Sequence, residues 1–242
     1  MSITDLKTNF ALERRLQMIS GRDTYLAVGL ATLFALTALP GYLAPATIGQ
    51  TQANKVTYAP ISGGEYKIDP AHSIIGFAIR HLEIAWVEGR FKDFAGVINY
   101  DEKDVTKSTV DFSAKIESID TGVEPRNAHL KTGDFFDAAK YPNLTFKSTR
   151  VEREGNNSFV LNGNLTIKGV TKPIALPFTI TGAVRDPWGN TRFGIEAQTR
   201  INRRDFGINY GNALASGGLD VGNEVTINLH LEAMKPEKKP AT

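Results

Sequence analysis

The sequence predicts a mostly-β protein, an antiparallel barrel with one short helical insertion, set behind an N-terminal apolar segment. Three observations lead there. Beyond Tyr58, apolar residues recur at every second position in run after run, the pattern of strands with one buried face. Turn-forming clusters such as Asp186-Pro-Trp-Gly-Asn190 and Glu154-Gly-Asn-Asn157 separate these runs, as connections in an antiparallel meander do. Only Gly122 to Tyr141 departs, with a helical pattern around Glu124 to Lys131 and a second short one near Asp137 to Lys140. Two short helices cannot cover a sheet of this size. The sheet must cover its own apolar face, as a closed barrel or a two-sheet sandwich, and closure also removes exposed edges.

Taken in order, residues 1–53 read as a leader and export signal. No charge lies from Thr24 to Asn54, and Tyr25 to Leu39 is an apolar stretch of signal-peptide length ending at the breaker pair Pro40-Gly41. Ala44-Pro45-Ala46 and Thr51-Gln52-Ala53 then offer the small side chains that a signal peptidase reads, while Arg14, Arg15 and Arg22 precede the run. A cleaved signal is expected, with a mature start between Thr47 and Asn54 and a periplasmic or secreted product. The leader before the apolar run is long, so translation from Met18 is a competing reading. Another is an uncleaved anchor, because Tyr25 to Ala46 is 22 residues, just enough to span a bilayer. Arg14-Arg15 fits twin-arginine export poorly.

Residues 54–235 form the predicted domain, and 236–242, within a Lys- and Pro-rich end, a solvated tail. The whole chain has 242 residues with 28 basic and 26 acidic side chains, of which 24 and 23 lie beyond Ala53. So neutral a domain offers no general attraction to nucleic acid. The absence of Cys excludes disulfides, thiolate metal sites and cysteine nucleophiles. The strands follow from alternation. Val110, Phe112, Ala114 and Ile116 share one face, as do Phe159, Leu161, Gly163, Leu165 and Ile167, then Ile174, Leu176, Phe178 and Ile180. Phe193, Ile195, Ala197, Thr199 and Ile201 repeat the pattern, as do Val225, Ile227, Leu229 and Leu231. Pro173 and Pro177 fall on the outward parity, which predicts an open or irregular ladder there.

What fills the barrel decides function. The inward set is rich in Phe, Ile and Leu, with Gly76, Ala114, Gly163, Gly182 and Ala197 among them. Such side chains pack against one another in many small barrels, yet about eight strands is also the size that holds one small ligand. Periodicity leaves both readings open.

A resemblance narrows them. Tyr66-Lys-Ile-Asp-Pro-Ala-His-Ser-Ile-Ile-Gly-Phe-Ala-Ile-Arg-His-Leu82, Gly89-Arg-Phe91, Ser118-Ile-Asp-Thr-Gly-Val-Glu-Pro-Arg-Asn-Ala-His-Leu-Lys131, Asp134-Phe-Phe-Asp137, Gly163-Asn-Leu-Thr-Ile-Lys-Gly-Val-Thr-Lys172 and Asn202-Arg-Arg-Asp-Phe-Gly207 occur in order. Together they resemble the YceI-like family of polyisoprenoid-binding proteins, over about Glu65 to Lys235. The resemblance implies a lipocalin-like barrel of about eight strands, periplasmic or secreted, holding the tail of a quinone or polyprenyl phosphate in an apolar tunnel. It also makes a homodimer plausible, and it implies no cofactor beyond the bound lipid. Tunnel-lining positions are then expected at Ile75, Phe77, Ile79, Phe94, Val110, Phe112, Ile116, Phe146, Leu161, Leu165, Ile174, Leu176, Phe178 and Ile195. Ala85-Trp86, where a hydroxyl is common, and Asn127, where an acid is common, depart from the pattern near the expected mouth.

Arg126 and His129 lie three apart, so on a helix they share a face and are candidates for the lipid headgroup, with Arg203 as a further one. The competing role for these groups is bracing the segment against the barrel. Enzyme readings are weak. His72, His81, His129 and His230 show no metal-ligand spacing, and His230 points outward. Asp120, Arg126 and His129 suit an acid–base cluster but lack a nucleophile motif. Gly211 to Gly218 lacks the Lys-Ser/Thr ending of a phosphate loop. The expectation is therefore a non-enzymatic lipid carrier or store that exchanges its ligand through transient membrane contact. An enzyme or chaperone acting on a lipid-derived substrate is the alternative.

Overall fold

The computed structural model describes residues 58–235. The predicted signal or anchor, its cleavage region and the tail lie outside these residues. Eleven strands appear: β1 (Gly64–Ile68), β2 (Ile74–His81), β3 (Ala85–Phe91), β4 (Phe94–Tyr100), β5 (Thr109–Lys115), β6 (Ile119–Asp120), β7 (Asn143–Arg153), β8 (Ser158–Ile167), β9 (Val170–Arg185), β10 (Thr191–Asn202) and β11 (Val221–Lys235). One α-helix, α1 (Glu124–Leu130), lies between β6 and β7.

Pairing reduces these strands to eight staves. β1 and β2 are one stave interrupted at Asp69–Ser73, since both lie along the same edge of β11, while β4 pairs with β1 and β3 with β2. β3 and β4 are likewise one stave bent at Lys92–Asp93, and β5 and β6 one stave broken by the 3-10 turn Ile116–Ser118. The remaining strands follow as a meander, each antiparallel to the next, and β11 closes the ring on β1 and β2. The fold is thus a closed eight-stave barrel, and closure satisfies the edge groups that an open sheet would expose.

Most of the expected alternation holds. On β8, Phe159, Leu161, Gly163, Leu165 and Ile167 are buried and their neighbours are not. Two of the small residues expected inside are outside. Gly76 pairs with Asn228 on the outer face. Gly182 lies past a register shift at Thr181, so the parity inverts: Ala183 turns inward and the Tyr58 ring lies over Gly182. The expected open ladder is present. β9–β10 pairing ends at Phe178–Ala197, and Pro173 and Pro177 lie beyond it with only β8 as partner. The helix expected near Asp137 is instead a series of turns, because Asp137 takes a left-handed backbone (φ 52°) that a helix cannot accommodate.

Candidate functional site

The barrel is hollow. A cavity of about 490 Å³ runs along its interior, within the range of about 300–1,000 Å³ for small-molecule sites. Its walls come from inward positions on nearly every stave. Of the expected positions, Ile75, Phe77, Ile79, Val110, Phe112, Phe146, Leu161, Leu165, Ile174, Leu176, Phe178 and Ile195 face it. Phe94 and Ile116 do not. Both sit at strand breaks, Phe94 just after the Lys92–Asp93 bend and Ile116 in the 3-10 turn, and both are buried in that corner, where Phe94 packs on Phe112.

The two ends of the cavity differ in chemistry. One is stopped by aromatic rings. Tyr66, fully buried, meets Phe193 edge-on at 4.9 Å and Tyr100 at 6.4 Å, and its hydroxyl donates to the Ser62 carbonyl at 2.8 Å. The other end gathers the charged and imidazole groups of the lining: Arg80, His81, Arg126, His129, Arg203 and Asp220. Strand direction puts them together, since the end of β2, the end of β10, the start of β11 and α1 all lie there. Arg80, His81 and Tyr210 both line the cavity and are exposed to solvent, so this end is the mouth.

The three headgroup candidates meet at the mouth but are held separately. Arg126 donates from Nε to Thr121 Oγ1 and from Nη2 to the Thr121 carbonyl, both at 2.8 Å, and forms no ion pair among the described residues. His129 Nε2 lies 2.8 Å from Asp134 Oδ2, with its ring edge-on to Phe135 and Tyr210. Arg203, 4% exposed, donates to the carbonyls of Gly222, Val221 and Ile208, and burial pushes its pKa below the ordinary arginine value. Arg203 therefore ties the loop after β10 to the start of β11. Asn127 is not at the lumen. It is buried, accepts from the Thr121 N–H and hydroxyl, and donates to Asp120 and Glu124, tying α1 to β6.

The acid–base grouping of Asp120, Arg126 and His129 does not converge: Asp120 accepts from the Gly122 N–H and pairs with Lys92. A different cluster forms at the opposite end of the barrel. Asp69, His72 and Glu232 bring ligand-type atoms within 4.8 Å of one another, a grouping in space where the sequence showed no metal-ligand spacing. Arg192 already occupies that cluster, donating to Asp69 Oδ2 at 2.8 Å, to Asp186 Oδ2 at 2.8 Å and to the Glu232 carboxylate. The Asp69-Pro-Ala-His72 spacing carried half of this signal. Glu232 and Arg192 are too distant in sequence to complete it.

Comparison with known proteins agrees with this architecture. The YceI-like domain model matches residues 66–233. Protein YceI of Salmonella newport is 42% identical over 146 residues, covering 60% of this chain and 76% of that protein. Among solved structures, Burkholderia cenocepacia BcnA superposes with a TM-score of 0.60 at 26% identity, covering 68% of this chain and 98% of that one. A polyisoprenoid binding domain from Saccharophagus degradans superposes with a TM-score of 0.53 at 16% identity, covering 72% and 100%, which shows a shared fold. With motifs, barrel and family model in agreement over the same residues, the chain belongs to the YceI-like family.

Proposed function

We propose that the protein binds a long isoprenoid lipid, with its tail in the lumen and its polar end at the α1 mouth, and stores or carries it in the periplasm after export. The observation that carries this reading is an apolar lumen, open at a mouth, whose charged groups gather at that one end. Such a cavity matches a molecule with a long featureless tail and a single polar terminus. The Saccharophagus domain with this fold is described as binding polyisoprenoids, which supports the same ligand class. Each buried CH₂ contributes about 0.8 kcal/mol relative to water, so a few isoprene units suffice for tight retention. The bilayer is the real competitor. A tail gains little on passing from one apolar medium to another, and ready exchange at a membrane suits transport or buffering better than permanent capture.

Lipid extracted from gently purified protein and identified by mass spectrometry tests the reading, with a long isoprenoid expected at about one per chain. Strand parity supplies the control. Phe178 faces the lumen and its neighbour Thr179 faces water, so Phe178→Arg should empty the protein and Thr179→Arg should not. Because Phe178→Arg also strains the fold, Phe178→Leu provides a gentler arm that loosens retention at near-normal stability. No isoprenoid in the wild type, or full occupancy in both Phe178 variants, sinks the proposal.

A further inference from the structure

The β2–β3 hairpin stands on the rim of the mouth. Arg80 and His81, which end β2, line the lumen. Just beyond them Ile84 is 80% exposed, with Leu82 at 39% and Trp86 at 50%. The turn is fixed in this position, since the Leu82 N–H donates to the Asp220 carbonyl at 2.8 Å and the Glu83 carboxylate accepts from the Leu219 N–H at 3.0 Å. Leu82 and Glu83 both have left-handed backbones, φ 51° and 61°, a conformation that Asn and Gly adopt at lower cost in such turns. The tip therefore carries two local penalties together, large apolar side chains in water and strained backbone, and neither is relieved by packing within the barrel.

Charge at the rim points to the partner. The Arg80 guanidinium lies 4.1 Å above the Trp86 ring, and neither it nor Arg126 forms an ion pair among the described residues. An aliphatic and tryptophan tip flanked by unpaired guanidiniums has the composition of a surface that enters the boundary between lipid headgroups and acyl chains. Three apolar side chains are far fewer than the roughly 20–30 residues per side of a standard protein interface. We propose that this hairpin docks the protein on a phospholipid bilayer, with Ile84, Leu82 and Trp86 entering the boundary and Arg80 and Arg126 meeting lipid phosphates. The proposal rests on the lumen being a lipid site. A docked mouth lets a tail pass between bilayer and lumen without exposing its apolar surface to water.

The chain has two tryptophans, so Trp188→Phe, at an exposed turn, leaves Trp86 as the sole reporter. The full chain is mixed with phosphatidylethanolamine–phosphatidylglycerol vesicles carrying brominated acyl chains, which quench indole only on close approach. Blue-shifted, quenched Trp86 emission is expected, and Ile84→Asp should lower the quenching about fivefold or more, because a charged tip resists entry into the apolar boundary. Attachment through the N-terminal segment alone would not depend on the residue at position 84, so it would leave quenching equal in Ile84→Asp. Absent quenching, or equal quenching in Ile84→Asp, overturns the docking. Loss of a dimer in Ile84→Asp by analytical ultracentrifugation, without vesicle quenching, also overturns it and assigns the tip to a second copy. Failure of the lipid reading is visible separately. Tip quenching in a protein that retains no isoprenoid by mass spectrometry supports docking and removes the cargo.

Discussion

Arg126 and Arg203 are both guanidiniums beside the lumen, yet their surroundings give them different work. Arg203 donates to three carbonyls across the loop after β10 and the start of β11, so it is a structural tie. Arg126 spends only Nε and Nη2 on Thr121 and keeps its charge uncompensated by any described carboxylate. Arg126→Ala should therefore weaken a polyprenyl phosphate by about 1.5–3 kcal/mol while leaving a prenyl alcohol of equal length nearly unaffected. Competition binding with the two ligands measures this, and equal losses would mean that Arg126 shapes the mouth without reading the headgroup. At the far end, hydrogen bonds from His72, and then from Arg192, hold Asp69 down to about 2 against the effect of burial, and the Asp69 contact raises His72 above its ordinary 6.5. His72 thus adds stability that is complete below pH 6.5 and fades as pH rises through its folded pKa. Asp69 adds stability that is present above about pH 3.8 and lost as pH falls toward 2. In urea unfolding, the difference between wild type and His72→Gln should be larger near pH 5.5 than near pH 8.5. A difference independent of pH would remove the ion-pair account.

Elements were legible where alternation was uninterrupted. β8 and the first half of β9 follow their apolar pattern residue by residue. The breaks were not, because a bend at Lys92–Asp93 or a bulge at Thr181 depends on how neighbouring staves meet, and each inverts or ends the parity beyond it. Gly163 shows the same dependence from the opposite side. Its inward position was readable, but its reason is that the Phe146 ring lies across it: a Cβ there would stand 2.3 Å from Phe146 Cζ and 2.7 Å from the Lys147 carbonyl oxygen. Gly163→Ala should force the ring toward the lumen and cost about 1–3 kcal/mol. A urea midpoint equal to that of the wild type would refute this packing.

At the scale of the whole molecule, the question left by periodicity was whether inward side chains meet each other or enclose a space. Phe178, Ile180, Ile195, Ile227, Leu229 and Leu231 all point inward and are only partly buried, because they border the lumen rather than one another. The aromatic stop at Tyr66, Tyr100 and Phe193 and the charged mouth then give the cavity a direction. That direction comes from closure, which brings the ends of β2 and β10 and the start of β11 beside α1.

By itself the sequence determined most of the strands and their buried faces, the helix at Glu124–Leu130 and the family, since period-two patterning and ordered local motifs are properties of neighbouring residues. Of the fourteen positions expected to line a tunnel, twelve face the lumen. Periodicity left barrel or sandwich and filled or hollow open, the family resemblance implied a hollow barrel of about eight strands, and the tertiary structure decided it. It also decided that Arg203 and Asn127 are ties and that Asp69, His72, Arg192 and Glu232 meet. These depend on contacts between residues far apart in the chain, which strand parity constrains to a face but not to a partner.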